Sequence, residues 1–175
     1  MLRDFEMTEE YAREICTWRY EAPYDVYNAE NSEESVESFL EGLHYAVTDE
    51  EGRLEAFYAL GPQAALPIKE LAEIYDDEDY TDIALGVRPD LLGRGIGTEV
   101  FRMALSRADE LFEGDGYRVT VAADNKRALS IYERAGFEEI CSFRTEIIYP
   151  DANEEIRTKE TPMLIMISES SLLSQ

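Results

Sequence analysis

The most informative segment of the sequence is IALGVRPDLLGRGIG, residues 83 to 97. An apolar strand ends before Pro89, and three glycines (Gly93, Gly95 and Gly97) then precede a long amphipathic helix. Glycine lacks the Cβ atom that would keep a ligand away from the backbone, and it tolerates positive φ. The start of a helix offers unpaired N–H groups and the positive end of the helix dipole. The stretch therefore predicts an anion site suited to a pyrophosphate, to which Arg94 can add charge.

Glycine spacing by itself leaves alternatives open. The order G-x-G-x-G is neither a P-loop, since no Gly-Lys-Ser/Thr follows, nor the dinucleotide-binding fingerprint. A helix cap after a tight turn also fits these residues.

A second block, NKRALSIYERAGF at residues 125 to 137, follows a predicted strand. The pattern V-x-P-x-x-x-G-R-G-I-G, followed later by N-x-x-A-x-x-x-Y-E-x-x-G-F, resembles the GNAT superfamily of acetyl-CoA-dependent N-acetyltransferases. The mixed order of strands and helices predicts an α+β fold with helices on both faces of the sheet, and the length predicts a single domain over residues 1–175. The resemblance implies the GNAT-like form of this fold, a mixed, mostly antiparallel sheet flanked by helices. The periodicity predicts strands at 2–5, 44–48, 54–60, 83–87, 117–123, 137–149 and 163–167, and helices at 8–17, from Asn31 or Ser32 to Gly42, and at 64–75, 97–112 and 126–135.

The resemblance also implies the donor site. The turn before the long helix binds the CoA pyrophosphate, the end of the preceding strand pairs with the pantetheine arm, and Asn125 contacts the cofactor. The backbone N–H of Val87 polarises the thioester carbonyl, and Tyr132 protonates the departing thiolate. The implied acetyl-CoA contacts are Leu85, Val87, Leu92, Gly93, Arg94, Gly95, Gly97, Thr98, Asn125 and Tyr132.

Some of these residues have other interpretations. The family pattern usually has Gln or Arg where this chain has Leu92. Tyr132 also fits a core aromatic, and Asn125 also fits a helix cap. Some family members place a catalytic carboxylate on the strand before the turn. That position falls on Thr81, and the neighbouring Asp82 is the candidate base, although adjacent strand residues face opposite sides and water is an alternative base.

The acceptor end is predicted at the aromatic stretch WRYEAPYDVYN, residues 18 to 28. Rings with polar tips suit a partly apolar pocket that orients an amine, so Tyr20, Tyr24 and Tyr27 are candidate acceptor contacts. Glu21 and Asp25 can attract a cationic acceptor. Packing of the same aromatics against the sheet is an equally good interpretation of each one.

Composition limits the partners. The chain has 175 residues, 45% of them hydrophobic, and its 39 acidic and 16 basic residues give a net charge of -23. Such a charge repels phosphate backbones, so we expect no nucleic-acid partner. A solvated acidic surface and adaptation to high salt both explain it. No apolar run approaches the roughly 20 residues of a membrane span, and we expect a soluble cytoplasmic protein with no membrane partner; a homodimer is an open alternative to a monomer.

No metal site is predicted. Cys16 and Cys141 form neither a disulfide framework nor a ligand set, and His44 is the only histidine. The acidic run at 76–79 lacks the ligand spacing of a calcium loop.

These observations favour an N-acetyltransferase that moves the acetyl group of acetyl-CoA to an amine acceptor by direct attack in a ternary complex. A small-molecule acceptor is favoured over a protein. The alternatives are a noncatalytic acyl-CoA-binding or interaction domain on the same fold and a protein N-terminal acetyltransferase.

Overall fold

The computed structural model describes residues 1–65, 71–77 and 79–169. Within these residues the chain forms strands and helices in mixed order. The strands are β1 (Arg3–Glu6), β2 (Leu43–Thr48), β3 (Leu54–Leu60), β4 (Tyr80–Val87), β5 (Gly116–Ala122), β6 (Glu138–Pro150) and β7 (Ile156–Glu169). The helices are α1 (Glu9–Ile15), α2 (Glu33–Leu40), α3 (Ala72–Tyr75), α4 (Ile96–Leu111) and α5 (Lys126–Arg134).

The strands form one mixed sheet in the order β1-β2-β3-β4-β5-β7-β6. Only the β4–β5 pair is parallel among the pairs described, and the connection between these two strands contains α4. The predicted mixed, mostly antiparallel sheet flanked by helices is confirmed.

The β4–β5 pair is short. Its register covers only Tyr80–Asp82 of β4 and Gly116–Arg118 of β5, whereas β4 continues to Val87 and β5 to Ala122. Over the rest of their length the two strands do not pair with each other. The sheet therefore opens into a gap between their C-terminal ends.

Backbone groups of β4 point into this gap. The N–H of Arg88 donates to the carbonyl oxygen of Glu55 at 2.8 Å, and the N–H of Gly61 donates to that of Asp82 at 2.9 Å. Because residues along an antiparallel pair alternate between bonded and non-bonded positions, Ala84 and Gly86 bond to β3. Leu85 and Val87 therefore direct their N–H and C=O groups toward β5 and the gap.

The main core lies between the sheet and α4. The helix buries Val100, Phe101, Ala104 and Ala108, and these pack in one cluster with residues of β3, β4 and β5. Burying a side chain of the size of Val100 or Phe101 contributes about 1.5–3 kcal/mol each. The same packing fixes the position of the turn from which α4 begins.

Most predicted elements are present, with different bounds. Strand β4 begins at Tyr80 rather than Ile83, and β7 begins at Ile156 rather than Met163. The helix predicted at 64–75 is a 3-10 turn at Pro62–Ala64 and the short α3, and residues 66–70 lie outside the described part of the chain. None of the helices described has the length and apolar character needed to cross a membrane.

Candidate active site

A cavity of about 850 Å³ lies where β4 and β5 diverge. It brings together most of the residues that the sequence indicated. Of these, Tyr20, Tyr24, Tyr27, Leu85, Val87, Leu92, Gly93, Gly95, Gly97, Thr98, Asn125 and Tyr132 line it. Arg94 and Asp82 are not among the lining residues, and neither are Glu21 and Asp25.

The glycine turn has the backbone geometry of an anion cradle. Gly93 and Gly95 have φ of +80° and +81°, a region that favours glycine. Gly95 is the N-cap of the 16-residue α4 and supplies no side-chain cap, so the N–H groups of the first turn stay available. A Cβ atom on Gly97 would lie 3.0 Å from Cδ1 of Ile131, so this position also favours the smallest residue. These residues fit a pyrophosphate.

A cation lies beside this turn. The guanidinium of Arg127 lies over the ring of Tyr24, 5.4 Å from its centroid. A Cβ atom on Gly93 would lie 3.9 Å from Nη2 of the same arginine. The predicted cation Arg94 is exposed and does not line the cavity. Arg127 was not predicted from the sequence. Its place in the first turn of α5, directly after the Asn125 cap, was the feature that could have indicated it.

Two tyrosines reach the two sides of the gap. The Tyr20 hydroxyl donates to the carbonyl oxygen of Val87 at 2.5 Å. The Tyr27 hydroxyl oxygen accepts from the N–H of Ala122, at the end of β5, at 2.9 Å. Burial raises the pKa of both phenols, so both are protonated at neutral pH. The stretch 18 to 28 is thus attached to both diverging strands.

Asn28 organises this stretch, and the sequence analysis did not single it out. Its Oδ1 accepts from the Tyr20 N–H at 2.6 Å, and its Nδ2 donates to the carbonyl oxygens of Tyr20 at 3.1 Å and Pro150 at 2.9 Å. All these partners are far from Asn28 in sequence or are backbone atoms, so no side-chain pattern could have shown them.

Tyr132 is a buried side chain that lines the cavity. Its ring makes an edge contact with Phe101 at 5.0 Å and packs against Phe137 at 6.0 Å. In the part of the chain described here, the structure gives its hydroxyl no hydrogen-bond partner. Burial raises the pKa of Tyr132 well above that of a free phenol, and the neighbouring Tyr27 adds to the shift. The hydroxyl therefore keeps its proton at neutral pH.

Asn125 has two contacts at the start of α5. Its Oδ1 accepts from the Ala128 N–H at 3.2 Å, which makes it the helix cap. Its Nδ2 donates to the Tyr27 hydroxyl at 3.2 Å. The cap interpretation is therefore correct, and the residue also lines the cavity.

Asp82 is not placed as a base. Its carboxylate accepts from Nε of Arg118 at 2.8 Å and from Nη2 at 2.7 Å, and both side chains are buried. Burial raises the pKa of Asp82, and the guanidinium of Arg118 opposes that shift. Asp82 and Arg118 are the last registered pair before the strands diverge. The sequence could not show this pairing, because the two residues come from different strands.

The charges on the cavity wall are all positive in the described segments: Lys126, Arg127 and Arg134 line it, and no Asp or Glu does. The same segments contain no group of three or more His, Cys, Asp or Glu placed to hold a metal. His44 is outside the cavity lining, with Nδ1 at 2.7 Å from the Glu41 carbonyl oxygen, and burial lowers its pKa.

Comparisons with known proteins agree with this architecture. The sequence matches the model of the acetyltransferase (GNAT) family over residues 9–137. No curated protein matches the chain.

Similar solved structures include a spermidine N-acetyltransferase SpeG chimera from Vibrio cholerae and hSSAT, with TM-score 0.71 and 17% identity over 99% of both chains. The ribosomal-protein-S18-alanine N-acetyltransferase from Escherichia coli has TM-score 0.63 and 20% identity, over 97% of this chain and 94% of that one. An acetyltransferase of the GNAT family from Streptococcus pneumoniae has TM-score 0.64 and 16% identity, over 97% of this chain and 99% of that one.

The chain shares its mixed-sheet fold with these acetyltransferases. The family match covers most of the chain, and the chain belongs to the GNAT acetyltransferase family.

Proposed function

We propose that this protein is an N-acetyltransferase that uses acetyl-CoA and an amine acceptor in a ternary complex. One observation carries the proposal. A single cavity of about 850 Å³ is lined by the glycine turn, the end of β4 and Tyr132. The proposed pyrophosphate site, the proposed thioester contact and the proposed proton donor therefore all line the same cavity.

The residues have distinct roles in this proposal. Acetyl-CoA, when bound, supplies the acetyl group as a thioester. The N–H groups of the glycine turn and of α4 bind the pyrophosphate, and Arg127 adds a positive charge. The Val87 N–H faces the gap and donates to the thioester oxygen, where negative charge develops. Tyr132 holds its proton on the hydroxyl and donates it to the leaving thiolate.

The acceptor amine must lose a proton, and the described cavity wall has no carboxylate or histidine to take it. Asp82 is bound by Arg118. We propose that solvent water takes the proton. The neutral fraction of the amine then limits the reaction at low pH.

A small-molecule acceptor is favoured over a protein. Structurally similar proteins include a spermidine N-acetyltransferase and a ribosomal-protein N-acetyltransferase, so the fold itself fits both classes. Tyr20 and Tyr27 are bonded to the strand ends and Asn28 to Pro150, which places the aromatic stretch against the sheet. A wall held in this way supports a bounded pocket rather than a long peptide channel.

The first experiment is calorimetric titration with acetyl-CoA, followed by an amine screen that detects free CoA. We expect saturable binding with one site and release of CoA with at least one small amine. Absence of acetyl-CoA binding contradicts the proposal. Turnover with N-terminal peptides and with no small amine would instead establish the protein N-terminal acetyltransferase alternative.

A second candidate is a noncatalytic acyl-CoA-binding domain. It is favoured by the ion pair of Asp82 with Arg118, which leaves this carboxylate unsuited to act as a base. It predicts acetyl-CoA binding of normal affinity without CoA release, at any pH and with any amine. The same two measurements separate the candidates.

A further inference from the structure

Three aromatic rings that contact one another form part of the cavity wall. Trp18, Phe39 and Phe57 all line the cavity. The ring centroids of Trp18 and Phe57 are 6.1 Å apart, and Phe39 meets Phe57 edge-on at 5.2 Å. The Phe39–Phe57 pair has the edge-to-face geometry that aromatic rings favour, and the Trp18 ring is tilted by 35° relative to that of Phe57. The three rings, here called the aromatic wall, are thus a fixed apolar surface.

The aromatic wall lies directly beside the strand end proposed to hold the thioester. A Cβ atom on Gly86 would lie 2.4 Å from Cε1 of Phe57, so the ring rests on the β4 backbone at that glycine. Gly86 precedes Val87 in the strand, and Phe57 is its register partner on β3. A molecule that contacts the Phe57 ring therefore lies next to Gly86, the residue that precedes Val87, whose N–H faces the gap.

The charged residues that line the cavity, among the described ones, come from one helix. Lys126, Arg127 and Arg134 all belong to α5. Although the protein has 39 Asp and Glu residues, none of those in the described ranges lines the cavity. Glu21 and Asp25, the acidic residues of the stretch that carries the tyrosines, do not line the cavity either.

We infer that the acceptor is a primary amine carried on an apolar body, aromatic or aliphatic, without a second charged group. The inference rests on the proposed function and specifies its substrate class. Each methylene buried against the aromatic wall strengthens binding by about fourfold. A second ammonium group on the same body has no carboxylate to pair with among the described residues that line the cavity, and burying an unpaired charge is unfavourable.

The single tryptophan makes this testable on the unmodified protein. Trp18 is the only tryptophan in the chain, and it belongs to the aromatic wall, so its fluorescence reports acceptor binding without any chemistry. We would titrate the complex with CoA using hexylamine and 1,6-diaminohexane, which differ only in the second amine. We expect hexylamine to bind at least tenfold more tightly than 1,6-diaminohexane. In the series from butylamine to hexylamine, we expect affinity to increase about fourfold with each added methylene.

Equal or tighter binding of the diamine overturns the inference, and so does absence of any response to both amines. Failure of the proposed function has a different signature, which is absence of acetyl-CoA binding or of CoA release with every amine. The fluorescence preference and the turnover measurement are therefore independent readouts.

A matched pair of variants tests the wall itself. In Phe57→Leu the ring is lost while the site stays apolar, and we expect 2-phenylethylamine to bind about 2- to 12-fold more weakly. Phe5→Leu is the control, because Phe5 is 51% exposed on β1 and does not line the cavity. An equal effect of the two substitutions, or no effect of Phe57→Leu, contradicts a role of the aromatic wall in acceptor binding.

Discussion

Tyr132 is both a buried core residue and a residue of the cavity lining. Its packing against Phe101 and Phe137 fixes the ring, and burial keeps the proton on the oxygen. A core aromatic and a proton donor are therefore not exclusive interpretations of this residue.

Tyr132→Phe removes the hydroxyl and keeps the ring packing. We expect kcat to fall by about 10²- to 10⁴-fold, the usual contribution of a positioned acid, with little change in the dissociation constant of acetyl-CoA. Steady-state kinetics and calorimetry measure the two effects. A kcat within twofold of the unmodified protein would show that Tyr132 is not the donor.

The pH dependence follows from the groups on the cavity wall. An alkylamine with a pKa of about 10.4 is mostly protonated at neutral pH, so kcat/KM rises with pH toward that value. Burial raises the pKa of Tyr132 above its ordinary value of about 10, so the donor stays protonated and causes no fall in rate below that pH. We expect a single ascending limb in a kcat/KM profile from pH 6 to about 10. A plateau that begins below about pH 8 would indicate a base on the protein.

Asp82 and Arg118 form a buried ion pair at the point where β4 and β5 separate. Arg118 also donates to the carbonyl oxygens of Ile74 and Tyr75, so it joins α3 to the same point. Both side chains are almost fully buried. Loss of one partner therefore leaves a charge without compensation.

Asp82→Asn is expected to lower the free energy of unfolding by about 3–5 kcal/mol in urea denaturation. Asp90→Asn is the matched control, because Asp90 pairs with Arg88 at the surface with a 67% exposed side chain, and a surface pair contributes about 0–1 kcal/mol. The double variant Asp82→Asn/Arg118→Met should recover part of the loss. Equal effects of Asp82→Asn and Asp90→Asn would contradict a structural role for the buried pair.

At the scale of elements, the end of β4 has two kinds of amide. Ala84 and Gly86 bond to β3, whereas Leu85 and Val87 face the gap. Hydrogen exchange should therefore be slower at Ala84 and Gly86 than at Leu85 and Val87 in the free protein. Acetyl-CoA should slow exchange at Leu85 and Val87 and leave the other two nearly unchanged. Equal protection of all four amides in the free protein would contradict the alternation.

Local sequence signals predicted most of the elements, and the family resemblance implied the donor side of the site, which stays a prediction. The glycine turn and the Asn125 to Phe137 block could be recognised because each depends on residues that are close together in sequence. The Asp82–Arg118 pair, the Tyr20–Val87 bond and the Phe57–Gly86 contact each join separate elements. No periodic pattern encodes such partners, and for this reason Asp82 was given a catalytic interpretation.

At the scale of the whole molecule, a net charge of -23 creates self-repulsion that salt can screen. The Debye length falls from about 30 Å at 0.01 M salt to about 3 Å at 1 M. We expect the thermal unfolding midpoint to rise over this range, with similar results in sodium and potassium chloride. A constant midpoint would favour a solvated acidic surface over adaptation to high salt.

The attachment of residues 18 to 28 to both edges of the gap has a consequence for any attempt to redesign selectivity. The hydroxyl of Tyr20 is hydrogen-bonded to the backbone of β4, and that of Tyr27 to the backbone of β5. The ring of Tyr24 makes a cation–π contact with Arg127 beside the glycine turn. Transplanting this loop from a relative with another acceptor is expected to change the width of the gap and the position of Arg127, the cation that we propose binds phosphate. Acceptor range and donor affinity are therefore expected to change together, and swaps in chimeric proteins need to include the contacted ends of β4 and α5.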